Sequence, residues 1–353
     1  MADFLVTGDT PANFDALFAT TPQVYAPQIE DNVFSATLFF HFLNKNGRKK
    51  VLNGGNSIAI PLMYAANSTV DSISDYGEVN IDPQEGITQA QYAWKQYVGS
   101  ISISDMELAK NNSIEGAVSL LGGKIEQTEL SLRDRLNTDG LGSNETNALN
   151  IFGAQDFMEP AVPASQDRVV GGIDPAANSW WRNRFDNIQD NVRGAVGSAT
   201  PQGDNDGGTF STNGLDAMTF QYNETSEGSD HPDIFIGNQS FFDNFEKSIV
   251  FNERLQRIAE TDVGRTGFDT LMFKGAMVGF DNAVTTNDGG HIYTINSRYI
   301  NWVVHRDFNF RMTPVQKFNS NQMARTGHIQ LIAALTLSNK KRQGVIINAD
   351  TFE

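Results

Sequence analysis

The chain has 353 residues, 39% of them hydrophobic and 24 of them Phe, which is enough apolar matter for one large or two ordinary domains and too much for a disordered polymer. Its 26 Lys+Arg against 42 Asp+Glu leave a formal charge of -16, which repels phosphate backbones and argues against a dedicated nucleic-acid reader. With no Cys, a disulfide framework, a thiolate zinc site and a Cys nucleophile are excluded, as fits a protein folded in a reducing cytosol.

Met1-Ala2-Asp3-Phe4 opens on an acid and lacks the basic start of a targeting segment. The apolar stretch from Val33 to Leu43 contains Ser35, Thr37 and His41 and falls well short of the roughly 20 residues of a membrane-spanning helix. The expectation is a soluble protein with no membrane partner.

The first fifty residues read as an arm. Pro11, Pro22 and Pro27 each disfavour helix at the residue before them. Phe14, Leu17 and Phe18, then Val33, Phe34, Leu38, Phe39 and Phe40, cannot all be buried within such a segment, so it must lie on another surface, its own or a neighbour's. The arm ends on the basic cluster Lys45, Arg48, Lys49 and Lys50, followed by the turn signal Asn53-Gly54-Gly55.

From Ser57 to Ser100 the pattern is strand-like: Ser57 to Tyr64 on one side and Tyr92 to Val98 on the other, around an acidic, turn-rich stretch from Asp71 to Gly86. This predicts a long two-stranded ribbon with a loop at its tip and Pro61 on an edge. A ribbon of two strands is marginal alone and must lean on something. Ser104-Asp105-Met106-Glu107 is a capping box opening a long helix, with Ile114, Val118, Leu121, Ile125, Leu132 and Leu136 at helical spacing, loosened at Gly122-Gly123 and ending before Gly140. Residues 197–214 read as loop and Leu215 to Tyr222 as helix. An α/β cadence follows: strand at Asp233 to Ile236, helix from Ser240 to Glu260, and strand from Leu271 to Val278. His291 to Val304 is strand-rich, and Ile329 to Leu337 and Val345 to Ile347 are strands. No internal repeat is visible.

Little in the sequence points to catalysis. The five His (His41, His231, His291, His305 and His328) form no metal-binding helical pair, and there is no nucleophile elbow or phosphate-binding Gly-rich loop. His305-Arg306-Asp307 lacks the companions of a kinase catalytic loop. Asp204-Asn205-Asp206-Gly207-Gly208 lacks the third acid and closing Glu of a calcium loop. Paired carboxylates with Trp94, Trp180, Trp181 and Trp302 would suit a glycosidase cleft, but such aromatics more often lie in cores and interfaces. No catalytic, cofactor or metal residue is assigned. An arm, a ribbon and a long helix that need neighbours point instead to assembly.

Three stretches resemble the major capsid (coat) proteins of tailed bacteriophages. They are Gly171-Gly172-Ile173-Asp174 with Trp180-Trp181-Arg182-Asn183, the run from His291-Ile292-Tyr293 through His305-Arg306-Asp307-Phe308-Asn309-Phe310-Arg311-Met312-Thr313-Pro314, and the ending Leu335 to Val345. They fall in the expected order. The resemblance implies an α+β chain of the Hong Kong 97-type capsid fold. It places an N-terminal arm at residues 1–56, an E-loop β-hairpin at 57–100, a P-domain with its spine helix at 101–225, an A-domain at 226–304 and P-domain C-terminal strands at 305–353. It implies no enzyme activity. The implied function is a virion shell of hexamers and pentamers, icosahedral, enclosing double-stranded DNA with weak non-specific contact and assembled in the host bacterial cytoplasm. Implied partners are a separate scaffolding protein and a portal protein. Lys95 is the only Lys of the E-loop segment and sits on its returning strand, not at its tip. A Lys–Asn cross-link is therefore not expected, and decoration proteins or non-covalent clasping would have to stabilise the shell. The alternatives within reach are an encapsulin-like compartment shell and another virion protein such as a tail tube subunit.

Charge patterning adds a reading of its own. The E-loop segment carries five acids, Asp71, Asp75, Glu78, Asp82 and Glu85, against the single base Lys95. The basic sets are Lys45, Arg48, Lys49 and Lys50 near the end of the arm and Lys340, Lys341 and Arg342 near the C-terminus. These twelve residues are the candidate inter-subunit contacts, with an acidic ribbon meeting a basic arm or P-domain of a neighbour.

Overall fold

A computed structural model of the chain describes residues 38–110, 114–145, 147–189, 192–194, 208–250, 271–313 and 323–352. The arm residues before Leu38, including Pro11, Pro22 and Pro27, lie outside the described residues, as do Asp204 to Gly207 and Pro314.

Two sheets organise the chain. In order, the elements are α1 (Leu38–Lys45), β1 (Lys49–Leu52), β2 (Ile58–Met63), β3 (Ile87–Tyr92), β4 (Lys95–Ser104), α2 (Asp105–Lys110), α3 (Ile114–Leu141) and α4 (Ala154–Phe157). They continue with β5 (Arg184–Asn187), β6 (Val192–Gly194), α5 (Leu215–Thr225), β7 (Ile234–Gly237), α6 (Gln239–Val250), β8 (Leu271–Phe273) and β9 (Ala276–Phe280). The last strands are β10 (His291–Ile295), β11 (Ile300–His305), β12 (Arg311–Met312), β13 (Ala324–Leu337) and β14 (Gly344–Ile347). One sheet has five strands in the order β1-β11-β13-β12, with β4 also on β13; the other has seven, β6-β5-β14-β10-β7-β9-β8. The hairpin β2-β3 stands apart from both.

The capping box forms as read. The Glu107 backbone N–H donates to Ser104 Oγ at 3.1 Å, and the Ser104 N–H donates to Glu107 Oε2 at 3.2 Å. It caps the short α2, and α3 then runs as continuous helix through Gly122-Gly123 and past Gly140 to Leu141. Leu121, Ile125, Leu132 and Leu136 are buried, and Tyr97, Ile101 and Ile103 of β4 are buried with them in the same core.

Of the two surfaces open to the arm's last apolar group, the chain's own and a neighbour's, the chain's own receives it: Leu38, Phe39, Phe40, Phe42 and Leu43 form α1 and are buried in the core. Phe40 meets the Trp302 ring edge-on at 4.9 Å. Three expectations change. The ribbon is shorter than read, because β2 pairs with β3 from Ile58↔Tyr92 to Met63↔Ile87, while Lys95 to Ser104 leave it to pair with β13. The alternation from Tyr92 to Val98 hides this break at Ala93-Trp94, where Trp94 Nε1 donates to the Gly55 carbonyl at 3.0 Å. Leu271 to Val278 is not one strand but belongs to a hairpin, turned at Lys274-Gly275, both with positive φ (49° and 90°). The run from His291 splits between the two sheets, and the C-terminal β14 lies between β5 and β10 in the seven-stranded sheet, not with the strands around β13. Expected and observed α5, β7 and β13 agree to within a few residues; α6 is described to Val250, and the remainder of the expected helix to Glu260 lies outside the described residues.

Gly140 locks α1 onto α3. A Cβ there would lie 2.8 Å from two atoms of the Phe40 ring, which is itself held against Trp302. Gly140→Ala is therefore expected to destabilise the fold by about 1–3 kcal/mol, the usual cost of overfilling a packed core, despite alanine's better helix propensity. A shift of the urea unfolding midpoint at constant slope would measure it.

Candidate assembly site

The hairpin is held at its root by the first of the three family-like stretches. Val170 and Ile173 exchange backbone hydrogen bonds at 3.3 and 3.2 Å around Gly171 and Gly172, whose φ angles are 64° and 77°. The turn presents the Gly171 carbonyl, which accepts from the Gln91 backbone N–H at 2.8 Å. A Cβ on Gly171 would lie 2.9 Å from the Ala90 side chain and 3.1 Å from the Tyr92 ring, so β3 can sit here only on bare backbone. Tyr92 is fully buried and its hydroxyl donates to the Leu337 carbonyl at 2.7 Å, tying β3 to the end of β13. Trp181 is buried and its indole N–H donates to the Val170 carbonyl at 3.1 Å, bracing the turn from behind. Trp180 stacks on Tyr64 at 5.4 Å, at the far end of β2.

Beyond this root the chain from Tyr64 to Gly86 projects as a loop. Its hydrogen bonds are local: Ser68 Oγ donates to Gln84 Oε1 at 2.8 Å, Tyr64 hydroxyl to the Glu85 carbonyl at 3.0 Å, and Gly77 N–H to the Ser74 carbonyl at 2.8 Å. Residues 70–85 are all exposed, the longest such run among the described residues. Asp71, Asp75, Glu78, Asp82 and Glu85 are among them. So are Val70, Ile73, Tyr76, Val79 and Ile81, with Tyr76 100% and Ile81 89% exposed. Apolar side chains held out in this way mark an interaction surface, and the acids between them keep the free chain soluble. The sequence reading found the acids but not the apolar residues interleaved with them, although their spacing was legible.

The basic candidates divide. Lys45 and Lys50 are exposed, and Arg48, just before β1, and Lys49, its first residue, are half-buried. Lys341 is exposed. Lys340 and Arg342 are not available to a neighbour, which corrects the reading of the C-terminal triplet as one basic patch. Lys340 is fully buried with its ammonium 3.7 Å from Glu159 Oε2. Arg342 is buried, ion-pairs with Glu227 and donates to the Ser226 carbonyl at 3.2 Å. A short turn at Lys340–Arg342 points alternate side chains inward, which a charge count along the chain cannot register.

Glu159 belongs to a buried polar cluster that sequence reading missed. Its carboxylate accepts the backbone N–H groups of Asp167 at 3.1 Å and Arg168 at 3.2 Å. Arg168 reaches Glu145 at 2.6 Å and Asp156 at 3.5 Å. Burial pushes the Asp156 carboxyl up against the pull of Ser143, the Gly153 and Asn144 backbone N–H groups, and Arg168. Burial also pushes the Lys340 ammonium down to about 8, opposed by Glu159. A second such carboxyl, Asp233, is likewise raised by burial while accepting from Ser297 and Asn46, and so links the end of α1 to the seven-stranded sheet. These clusters join distant segments; neither opens onto a metal-binding group, and among the described residues no set of three or more His, Asp or Glu could hold a metal ion. No described helix is long and apolar enough to cross a membrane.

No sequence-family profile matches this chain, and no curated protein matches it by sequence. Solved structures do match. The capsid asymmetric unit of Cyanophage A-1(L) aligns over 86% of this chain and 90% of its own, with a TM-score of 0.58 at 15% identity. The capsid of an empty GTA particle aligns over 86% and 95%, with a TM-score of 0.50 at 9% identity. The fold is the Hong Kong 97-type capsid fold. The SrpI encapsulin of Synechococcus elongatus is similar over 87% of each chain, with a TM-score of 0.49 at 10% identity. In this capsid fold the chain's three family-like stretches are structural: the first seats the hairpin, the second carries β10 and β11 between the sheets, and the third ends β13 and begins β14.

Proposed function

We propose that the chain is a major capsid protein, a structural subunit without catalysis that self-assembles as hexamers and pentamers into an icosahedral shell enclosing phage double-stranded DNA. The observation that carries this is the hairpin loop. It holds five acids and five large apolar side chains in solvent, on a capsid fold whose own cores are already filled. Neighbouring copies are the natural cover for such a surface. In this reading the E-loop is the hairpin β2-β3 with its loop, the P-domain is α3 with the five-stranded sheet, and the A-domain is the seven-stranded sheet with α5 and α6. The segments 49–52, 95–100, 184–187, 192–194, 215–225, 300–304 and 344–347 then fall on other sides of the divisions drawn from the sequence. A separate scaffolding protein, a portal protein and decoration proteins are the partners, and the acidic chain touches the enclosed DNA only weakly.

The test is negative-stain microscopy with light scattering on the protein expressed alone and with its neighbouring gene products. Closed polyhedral particles, or capsomers that close when a scaffold is added, are expected. A monomer that persists under every condition would remove the proposal. Asp75→Lys, Glu78→Lys and Asp82→Lys combined are expected to suppress closure at low salt and to reverse its salt dependence, since exposed pairs contribute only about 0–1 kcal/mol each but recur in every subunit.

A further inference from the structure

We infer that Asn53 is a self-modification site: its side-chain amide closes onto the Gly54 backbone nitrogen and reopens as aspartate or isoaspartate, which loosens the hairpin from the end of β1. The inference is independent of the shell reading. It rests on the turn Asn53-Gly54-Gly55, which joins β1 to β2.

Asparagine is chemically labile, most of all before glycine, where no Cβ on the next residue keeps its nitrogen away from the side-chain carbonyl. The chain holds three such pairs, Asn46-Gly47, Asn53-Gly54 and Asn213-Gly214. Two are shielded. Asn46 is half-buried, and its Nδ2 donates to Asp233 Oδ2 at 3.2 Å and to Ser297 Oγ at 3.0 Å. The Gly47 N–H, which would be the attacking group, donates to the Asn44 carbonyl at 3.0 Å. Asn213 is half-buried and its Nδ2 donates to the Ile188 carbonyl at 3.2 Å. Gly214 is buried in the helical turn Phe210–Gly214 that leads into α5, where the backbone is fixed.

Asn53 has neither protection. It is exposed, and among the described residues neither its side-chain amide nor the Gly54 N–H has a hydrogen-bond partner. Chain neighbours aside, only His305 Nε2 would come within 4 Å of a Cβ on Gly54, at 3.5 Å, so the turn has room for a ring and for water.

The step needs no co-reactant but water. The Gly54 nitrogen bonds to Asn53 Cγ, the Cγ–Nδ2 bond breaks, and the Gly54 proton leaves with the side-chain nitrogen as ammonia. Water then opens the five-membered imide at one of its two carbonyls. One opening leaves aspartate. The other leaves isoaspartate, whose main chain runs through Cβ and Cγ and is one atom longer.

The turn has no slack for that atom. Leu52 is fixed beside His305 in the β1 register, and the Gly55 carbonyl accepts from Trp94 Nε1 at 3.0 Å. Trp94 stands where the chain leaves the hairpin for the five-stranded sheet, so this bond joins the segment entering the hairpin to the segment leaving it. A longer backbone between Leu52 and Gly55 displaces the Gly55 carbonyl. The hairpin is then held through Gly171, Tyr92 and the Trp180 stack, without the tie to β1.

The full chain, aged at mildly alkaline pH, is digested at acidic pH, where the reaction is arrested, and mapped by mass spectrometry. Isoaspartate is read separately with an isoaspartyl methyltransferase. The peptide holding Asn53 should gain about 1 Da. It should do so at least about tenfold faster than those holding Asn46 and Asn213, whose reacting groups are held in hydrogen bonds. Ageing in guanidinium chloride should abolish this ranking, because the protection is structural. If Asn53 in the folded chain reacts no faster than the other two, while all three react in denaturant, the inference is wrong. Limited proteolysis reads the consequence. The aged chain should be cut between residues 58 and 92 faster than the fresh chain, whereas Asn53→Gln, which cannot close the five-membered ring, should not change with age. An Asn53→Gln variant that loosens on ageing as the unsubstituted chain does would overturn the link between Asn53 and the hairpin.

Discussion

Replacing Gly171 by Val is expected to unseat the hairpin and abolish closed particles while leaving both sheets folded. Gly171 has a φ of 64°, in the left-handed region that costs a residue with a Cβ about 1–2 kcal/mol and a β-branched one more. Its Cβ would also lie 2.9 Å from the Ala90 side chain and 3.1 Å from the Tyr92 ring, both fully buried. Overfilling such a contact adds about 1–3 kcal/mol. The Gln91–Gly171 hydrogen bond at 2.8 Å cannot survive the displacement. The neighbouring Gly172 supplies the control, because its φ of 77° is equally left-handed but nothing lies within 4 Å of the Cβ position. Gly172→Ala should therefore cost only the backbone term of about 1 kcal/mol and leave assembly intact. Limited proteolysis of residues 58–92, urea unfolding and particle yield, measured on both variants, separate the seat from the turn. Equal effects at the two glycines would show that the turn's conformation matters and the contact with β3 does not.

The same stretch illustrates what the sequence could disclose. The paired glycines and the adjacent tryptophans were visible as a motif, and their resemblance to capsid proteins led to the right fold. Their physical role was not visible, because it lies in contacts with Ala90 and Tyr92, far away in the chain. Local chemistry was legible throughout: the Ser104–Glu107 capping box, the helical spacing of Leu121 to Leu136, and Pro61 in a two-stranded ribbon where both strands are edges. Strand partnership was less so. Tyr92 to Val98 alternates as one strand would, yet Tyr92 pairs with Ile58 and Val98 with Gln330, and nothing local separates the two. The Phe cluster of α1 was legible as needing a surface outside its own segment, but not which one, because Trp302 is supplied by β11, far along the chain. For the candidate contacts, the five acids were recognisable as exposed because a turn-rich stretch cannot bury them. Lys340 and Arg342 were mistaken because burial of a charge depends on its counter-ion, and Glu159 and Glu227 come from elsewhere in the chain.

That buried pair sets the second large effect, which is one of pH. Lys340 is fully buried, and burial pushes its ammonium from the ordinary value of 10.5 to about 8, against the opposing charge of Glu159. Below about 8 the group is charged in both the folded and the unfolded chain, and the folded state carries the whole desolvation cost. Between about 8 and 10.5 the unfolded chain still binds the proton while the folded chain has released it, so this group makes stability rise with pH through that window. Glu159→Gln removes the counter-charge and should destabilise the protein by about 3–5 kcal/mol at pH 7, the range for breaking a buried pair from one side. The loss should shrink as pH approaches 10, where Lys340 is neutral in any case, leaving a remainder from the carboxamide that faces the Asp167 or Arg168 N–H. Lys340→Met fills nearly the same volume without a charge, and leaves Glu159 with its two backbone donors. Its cost at pH 7 should be smaller than that of Glu159→Gln, and the rise in stability above pH 8 should disappear. Chemical denaturation of the three proteins at pH 7, 8.5 and 10 decides the matter. A Lys340→Met variant that keeps the parent's slope above pH 8 would place the titrating group elsewhere, and a Glu159→Gln cost independent of pH would mean that Glu159 acts through its backbone hydrogen bonds and not through Lys340.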